Sequence, residues 1–224
     1  MRPLNSFTWN GENSLKYGVR ILDRDIPRIS PGERYERVSI DGRDGDLFIP
    51  LNSIPSVDFS LPINVLDSGR ADEIVRWLRK KPKGDLILSW DDEYVYDATY
   101  LDQHDINTLL TKLGEAELPF KLHPWKYQYQ GLDATTVTQI LNPTIYDSEP
   151  VYTITGTGDL DFYVNDELIR FTNMSGPVTI DVEKGEVIGT ELSNVLTYPF
   201  PKLKPGLNTF SQEITVVPKW RERL

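Results

Sequence analysis

The sequence contains no cysteine and only two histidines, and each shortage removes a class of site. Without cysteine, disulfide scaffolds, thiolate metal sites and cysteine nucleophiles are excluded, and the composition fits folding in a reducing cytoplasm. His104 and His123 cannot form a three-histidine zinc site, and a serine–histidine–aspartate relay would have to use one of them. Since neither stands in a supporting motif, we interpret both as structural and expect no metal, cofactor or catalytic residue.

Long apolar runs are also missing. No uninterrupted stretch approaches the roughly 20 residues that span a bilayer. Met1–Asn10 has no basic segment followed by an apolar run, so we expect no cleaved secretory signal. These two absences predict a protein that is made soluble and does not insert into membranes.

The sequence has fewer basic residues than acidic residues. The formal net charge is −10, from 34 acidic and 24 basic residues. Such a chain repels phosphate backbones and anionic lipid, so we expect no specific nucleic-acid or membrane partner. The glycine pairs at Gly42–Gly45 and Gly156–Gly158 lack the lysine and serine or threonine of a P-loop, and we interpret both as turns.

The length predicts two domains of unequal size, since 224 residues exceed one typical domain. The hydrophobic share of 39% is sufficient for real cores. We place the boundary near residue 140, where a polar segment is followed by Asn142-Pro143. The predicted fold class is mainly β with one helix: residues 1–140 form a β domain that contains the helix, and residues 141–224 form a β-sandwich.

The first half begins with a predicted hairpin at Phe7–Gly11, for which Tyr17–Leu22 can return as the partner strand. Asp23–Asp46 is rich in arginine, proline, glycine and aspartate and is expected to be an irregular arm. Alternation predicts strands at Arg37–Ile40 and Val57–Ile63.

Helical spacing is clear in one segment only. Ala71, Ile74, Val75 and Leu78 recur at i, i+3, i+4 and i+7, and Asp67 and Ser68 are capping candidates. An aromatic hairpin should follow, with strands at Asp85–Trp90 and Tyr94–Tyr100.

The second half shows short alternating segments separated by turns, the spacing of a small sandwich. Turns are predicted at 156–158, 165–166, 183–185 and 205–206. The clearest predicted strands are Val151–Thr155, Leu160–Val164, Val178–Val182 and Ile214–Val217.

Other chemistry has weaker signals. Asp91-Asp92-Glu93 concentrates three carboxylates but lacks the spacing of a calcium loop, so a solvated turn is favoured. A pair of acids for glycoside hydrolysis cannot be singled out among 34 acidic residues. Sugar stacking by second-domain aromatics is a further alternative. The aromatics in question are Tyr152, Phe162, Tyr163, Phe171, Tyr198, Phe200 and Phe210.

Together these segments resemble the distal tail proteins of siphophages that infect Gram-positive bacteria, which also occur in prophages. Phe7–Gly11 followed by Tyr17-Gly18-Val19 resembles the family's opening, and Gly42–Gly45 resembles its central turn. The helix before an aromatic hairpin stands in the expected order. The run Tyr198–Asn208 resembles the family's galectin-like C-terminal sandwich.

The resemblance implies a structural virion protein of the tail tip or baseplate, assembled in the host cytoplasm. Its first domain would form a hexameric ring that joins the tail tube protein to the tail-associated baseplate protein, with a receptor-binding protein as a further partner. The galectin sugar site is not carried over, because no histidine follows His123 and Trp220 is the only tryptophan beyond Trp125.

Exposed hairpin arms supply the expected ring interface, because their edges can pair with neighbours. We assign interface residues on the two arms: Arg28, Arg43, Asp44, Tyr94 and Tyr96. Two alternatives stay open, namely a module that recognises cell-wall sugars and a carboxylate-dependent wall hydrolase.

Overall fold

The computed structural model describes residues 5–22, 29, 35–42, 44–51, 53–101 and 106–224. The chain divides into two compact units. Unit 1 is Met1–Lys126 with Arg223–Leu224, and unit 2 is Tyr127–Glu222. The predicted boundary near residue 140 falls inside a strand of unit 2, because residues 135–142 pair with strand 206–217 of that unit.

Unit 1 contains an eight-stranded antiparallel sheet, a separate two-stranded sheet and two helices, and β9 and β15 continue across the division between the units. Its elements are β1 (Phe7–Trp9), β2 (Glu12–Asn13), β3 (Val19–Ile21), β4 (Tyr35–Ser39), β5 (Asp46–Pro50), β6 (Val57–Val65), α1 (Ala71–Lys80), β7 (Lys83–Leu88), β8 (Tyr94–Tyr100), α2 (Ile106–Leu113), β9 (Glu115–Gln128) and β15 (Arg221–Arg223). The large sheet has the order β2-β1-β7-β8-β9-β6-β3, and β15 pairs with β9.

The predicted opening hairpin is confirmed, but its predicted return strand is wrong. β1 and β2 form the hairpin through Asn10 and Gly11, both at positive φ. β3 pairs with β6 instead of β1, so that Val19 lies opposite Val65 and Ile21 opposite Ile63. The other side of β1 is taken by β7. Pairing with β6 buries both Val19 and Ile21 in the core.

The predicted helix is confirmed as α1. Asp67 accepts a hydrogen bond from the Gly69 N–H and caps a short 3₁₀ turn that leads into the helix. The buried face includes Ile74 and Leu78, as the spacing predicts. Trp77 extends that face, because its ring stacks on Tyr17 with centroids 4.3 Å apart.

A second helix, α2, was not predicted, although the mainly β class is confirmed. Ile106, Leu109, Leu110 and Leu113 have helical spacing, a signal that the polar residues before them obscured. Ile106 and Leu110 are fully buried in the core of unit 1. The sequence therefore held the information for this helix.

Unit 2 is all β, as predicted. Its strands are β10 (Thr135–Asn142), β11 (Val151–Val164), β12 (Glu167–Asp181), β13 (Glu186–Ile188) and β14 (Gly206–Val217), in the order β10-β14-β11-β12-β13. The predicted turn at 156–158 is wrong, because β11 continues through it with a register shift after Gly158, whose φ is +75°. Glycine adopts this φ without steric penalty and lets the strand bend.

The bend lets both ends of β11 cover one core. Tyr152 and Phe162, from opposite ends of β11, both pack on Phe210, with ring centroids 6.2 and 6.3 Å away. Asn208 fixes the start of β14 beside that core. Its buried side chain exchanges four hydrogen bonds with Lys204, Gly206 and Asn165. The curled sheet thus forms a sandwich-like unit.

Candidate assembly interface

Most described side chains of the two-stranded sheet β4–β5 are exposed. It pairs in a regular antiparallel register from Tyr35 opposite Pro50 to Ser39 opposite Asp46. Arg37 and Asp46 form an ion pair across it. Gly42 and Gly45 both adopt a φ of +83° in the connection, so the predicted double turn is confirmed. The hairpin forms a sheet of its own, separate from the eight-stranded sheet.

Apolar side chains are exposed on both faces of this hairpin. Leu47, Phe48 and Ile49 follow one another on β5, and Phe48 is 60% exposed. Consecutive strand residues point to opposite faces, so each face presents large apolar groups to solvent. A two-stranded hairpin is marginally stable by itself in water, and exposed apolar patches mark interaction surfaces. The hairpin is therefore the strongest candidate for an interface.

The second predicted arm, β7–β8, is not exposed. β8 lies between β7 and β9 in the large sheet, so its two edges are already paired. Tyr96 is only 3% exposed and packs in the core. Burial, together with the bond that its hydroxyl donates to Asp91, raises the pKa of Tyr96 well above its ordinary value.

Tyr94 is half-buried and carries a cation on its ring. The Lys126 ammonium lies 3.6 Å from the centroid of that ring and 2.9 Å from the nearer carboxylate oxygen of Asp91. Asp91 therefore binds Lys126 and Tyr96 together. This local network organises the turn between β7 and β8, and the predicted solvated character of the turn applies to Asp92 and Glu93, which are exposed.

The structure thus separates the predicted interface residues. Asp44 is exposed in the tip of the β4–β5 hairpin, whereas Tyr94 and Tyr96 belong to the packed sheet. Arg28 and Arg43 lie outside the described residues, as does His104. Sequence reasoning missed Leu47, Phe48 and Ile49, although the apolar run directly after a turn was a usable signal.

Metal and membrane chemistry gain no support from the described part of the chain. Within it, no group of three or more histidine, aspartate or glutamate residues is arranged to hold a metal ion. None of its helices is long and apolar enough to cross a membrane.

The aromatics considered for sugar stacking are mostly core residues. Tyr152, Phe162, Phe171, Phe200 and Phe210 are buried. Tyr163 is partly exposed, and Tyr198 is 80% exposed with its ring edge-on to Phe200, 5.7 Å between centroids. Only Tyr163 and Tyr198 of the seven can therefore offer a ring to a ligand.

The carboxyl groups with clear pKa shifts are shifted downward. Burial alone would raise the pKa of Asp181, but Lys219 and Lys184 outweigh that effect and lower it. Arg170 likewise holds the pKa of Asp161 below its usual range through two hydrogen bonds of 2.6 Å. A general acid for glycoside hydrolysis needs a raised pKa, so these groups are unsuited to that role.

Comparison with known proteins identifies the fold. No family model and no curated protein matches the sequence. Among solved structures, the chain is similar to the Dit protein (gp 19.1) of phage SPP1, described as a paradigm of the hub adsorption apparatus in phages that infect Gram-positive bacteria. The match covers 94% of this chain and 96% of that one, with a TM-score of 0.62 and 16% identity. The chain therefore has the fold of a siphophage distal tail protein, as the sequence resemblance predicted.

Proposed function

We propose that this protein is a structural component of a phage tail tip, a distal tail or baseplate hub protein that closes into a hexameric ring. Two independent observations support the proposal. The fold extends over nearly the whole length of a known tail hub protein. The β4–β5 hairpin exposes apolar side chains on both faces, which a neighbouring subunit would cover.

The β4–β5 hairpin is the main structural support for ring assembly. In a closed ring each subunit presents its hairpin to the next subunit, so every copy both gives and receives the contact. Leu47, Phe48 and Ile49 supply the apolar surface, and Asp44 lies at the tip. Tyr96 takes no direct part, because its ring is buried within unit 1.

The proposed partners follow from this role. Unit 1 would bind the tail tube protein on one side of the ring and the tail-associated baseplate protein on the other. Unit 2 would support receptor-binding or peripheral baseplate proteins. The net charge of −10 suits a channel through which DNA slides without sticking, because phosphates would meet few cations. No residue is assigned a catalytic role.

The test is the mass of the purified protein, measured by size-exclusion chromatography with light scattering over a range of concentrations. A hexamer of the 25.7-kDa chain, or smaller species that grow with concentration, is the expected result. A strict monomer at the highest soluble concentration, together with the absence of rings in negative-stain images, would overturn self-assembly.

Sugar recognition is the second candidate function, and the exposure of Tyr198 favours it. An aromatic ring on the surface can stack on a sugar face. Binding of the intact protein to a cell-wall glycan array, lost in both Tyr198→Ala and Tyr163→Ala, would establish an adhesion role. An array without signal for the native protein would exclude it.

A further inference from the structure

The chain leaves unit 2 through a strained residue. Lys219 adopts a φ of +51° and stands shortly before β15. The other non-glycine residues at positive φ in the described part of the chain are all asparagines, which tolerate this conformation better. A lysine at such a φ is strained, so the conformation persists only where the surrounding contacts hold it. The contacts around Lys219 therefore determine the direction in which the chain leaves the unit.

Every polar group of Lys219 has a partner. Its N–H donates to the Gly131 carbonyl at 2.7 Å, and its carbonyl accepts from the Ser148 hydroxyl at 2.6 Å. Its ammonium group lies 2.8 Å from Glu183 and 3.3 Å from Asp181. Only 16% of the Lys219 side chain is exposed, so the two carboxylates compensate a charge that is largely removed from water. Loss of a carboxylate would favour a conformation that returns the ammonium group to solvent.

Glu183 also holds the second strand that leads out of unit 2. Its two carboxylate oxygens have different partners. One accepts from the Tyr127 hydroxyl at 2.8 Å, and the other accepts from Lys219. Tyr127 lies in β9, and Lys219 precedes β15, the strand that pairs with β9. A single side chain thus ties both strands that run on into unit 1 to the turn between β12 and β13.

The residues that follow Lys219 depend on its conformation. The Trp220 carbonyl accepts from the Gln128 N–H at 2.8 Å, and the Trp220 ring packs in the core of unit 2. At the other end of β15, the Leu224 N–H donates to the Pro124 carbonyl at 3.2 Å. A change of φ at Lys219 rotates the chain after it, so Trp220 and β15 would not both keep these contacts.

We propose that Glu183 couples the β12–β13 turn to the pairing of β15 with β9, and that Lys219 is the element with two states. In the held state, Glu183 and Asp181 keep Lys219 at positive φ and β15 stays paired. In the released state, Lys219 relaxes to an extended conformation and β15 leaves β9. A contact at the exposed turn that withdraws Glu183 from Lys219 would shift the balance toward release. The coupling does not depend on the ring contact.

The test is hydrogen exchange of the full-length chain, followed by mass spectrometry in the segment Lys219–Leu224. Glu183→Ala removes the carboxylate and should speed exchange in this segment about tenfold, which corresponds to about 1.4 kcal/mol. Exchange in α1 should stay at the native rate. Glu186→Ala is the matched control, because Glu186 follows the same turn and its side chain is 60% exposed, 4.0 Å from Lys184. This control should leave exchange in Lys219–Leu224 unchanged.

Glycine at position 219 distinguishes release of strain from the simple loss of an ion pair. Lys219→Gly in the Glu183→Ala background removes the steric cost of positive φ, because glycine adopts it freely. Exchange in Lys219–Leu224 should then return toward the native rate. If Glu183→Ala does not fold, as judged by circular dichroism, Tyr127→Phe replaces it. This variant removes one of the two contacts of Glu183 and should speed exchange about threefold.

Three results would overturn the proposal. One is a native exchange rate in Lys219–Leu224 of Glu183→Ala. Another is an equal acceleration in Glu186→Ala, which would indicate a general loosening of the turn. The third is exchange in the double variant that is as fast as in Glu183→Ala alone, which would show that no strain at Lys219 is released.

Discussion

Replacing Phe48 with alanine should weaken ring assembly without unfolding the subunit. A phenylalanine side chain offers roughly 200 Å² of surface. Phe48 is 60% exposed, so a neighbour can cover about 120 Å² of it, worth about 3 kcal/mol at about 25 cal/mol per Å². After subtraction of the surface that alanine keeps, about 2 kcal/mol is lost per interface, a roughly thirtyfold rise in the Kd of each contact.

The assay is light scattering across a concentration series, which reports the midpoint of assembly for native and variant chains. Leu113→Ala is the control, because Leu113 is 69% exposed in the same unit but lies on α2. Its midpoint should match that of the native chain, and the thermal denaturation of both variants should stay close to native. Equal midpoints for Phe48→Ala and the native chain would show that the hairpin is not the ring contact.

Three further predictions concern unit 2. Gly131→Ala should lower the free energy of unfolding by about 1–3 kcal/mol in urea denaturation, because a Cβ there would lie 2.7 Å from the Trp220 ring. Asn208→Ala should lower the free energy of unfolding by about 3 kcal/mol in the same assay, because four hydrogen bonds around a buried side chain are lost. A decrease of less than about 0.5 kcal/mol would contradict this prediction. The lowered pKa of Asp181 means that its ionised carboxylate stabilises the folded state. This stabilisation is complete above the unfolded-state pKa of about 4 and disappears as the pH falls through the folded-state pKa. Thermal denaturation of Asp181→Asn should therefore differ from native at neutral pH and converge with it in acid, and a pH-independent difference would refute the linkage.

Local patterns in the sequence predicted local structure well. The spacing of Ile74 and Leu78 determines a helix face whatever its partner is, and Asp67 caps the turn before it. Asn10 and Gly11 accept positive φ, so the first turn was readable as well. The fold class followed from such signals summed over the chain.

Long-range pairing was the part that local patterns did not contain. Alternation shows that Val19–Ile21 is a strand but not that its partner is β6, more than 40 residues away along the chain. The same limit affected the candidate site. Tyr94 and Tyr96 have the alternation of any half-buried strand, and only the neighbours β7 and β9 decide that β8 is internal. Phe48 has the same kind of pattern, yet within the described ranges its strand pairs with β4 alone, and its side chain is 60% exposed.

The return of Arg223–Leu224 to unit 1 makes unit 2 an insertion within the first unit. The Leu224 N–H donates to the Pro124 carbonyl at 3.2 Å, which holds the returning segment against β9. A chain cut after Lys126 would lose this partner of β9. For evolution the same topology is permissive: one unit can be exchanged or enlarged between two fixed junctions while the other keeps its sheet.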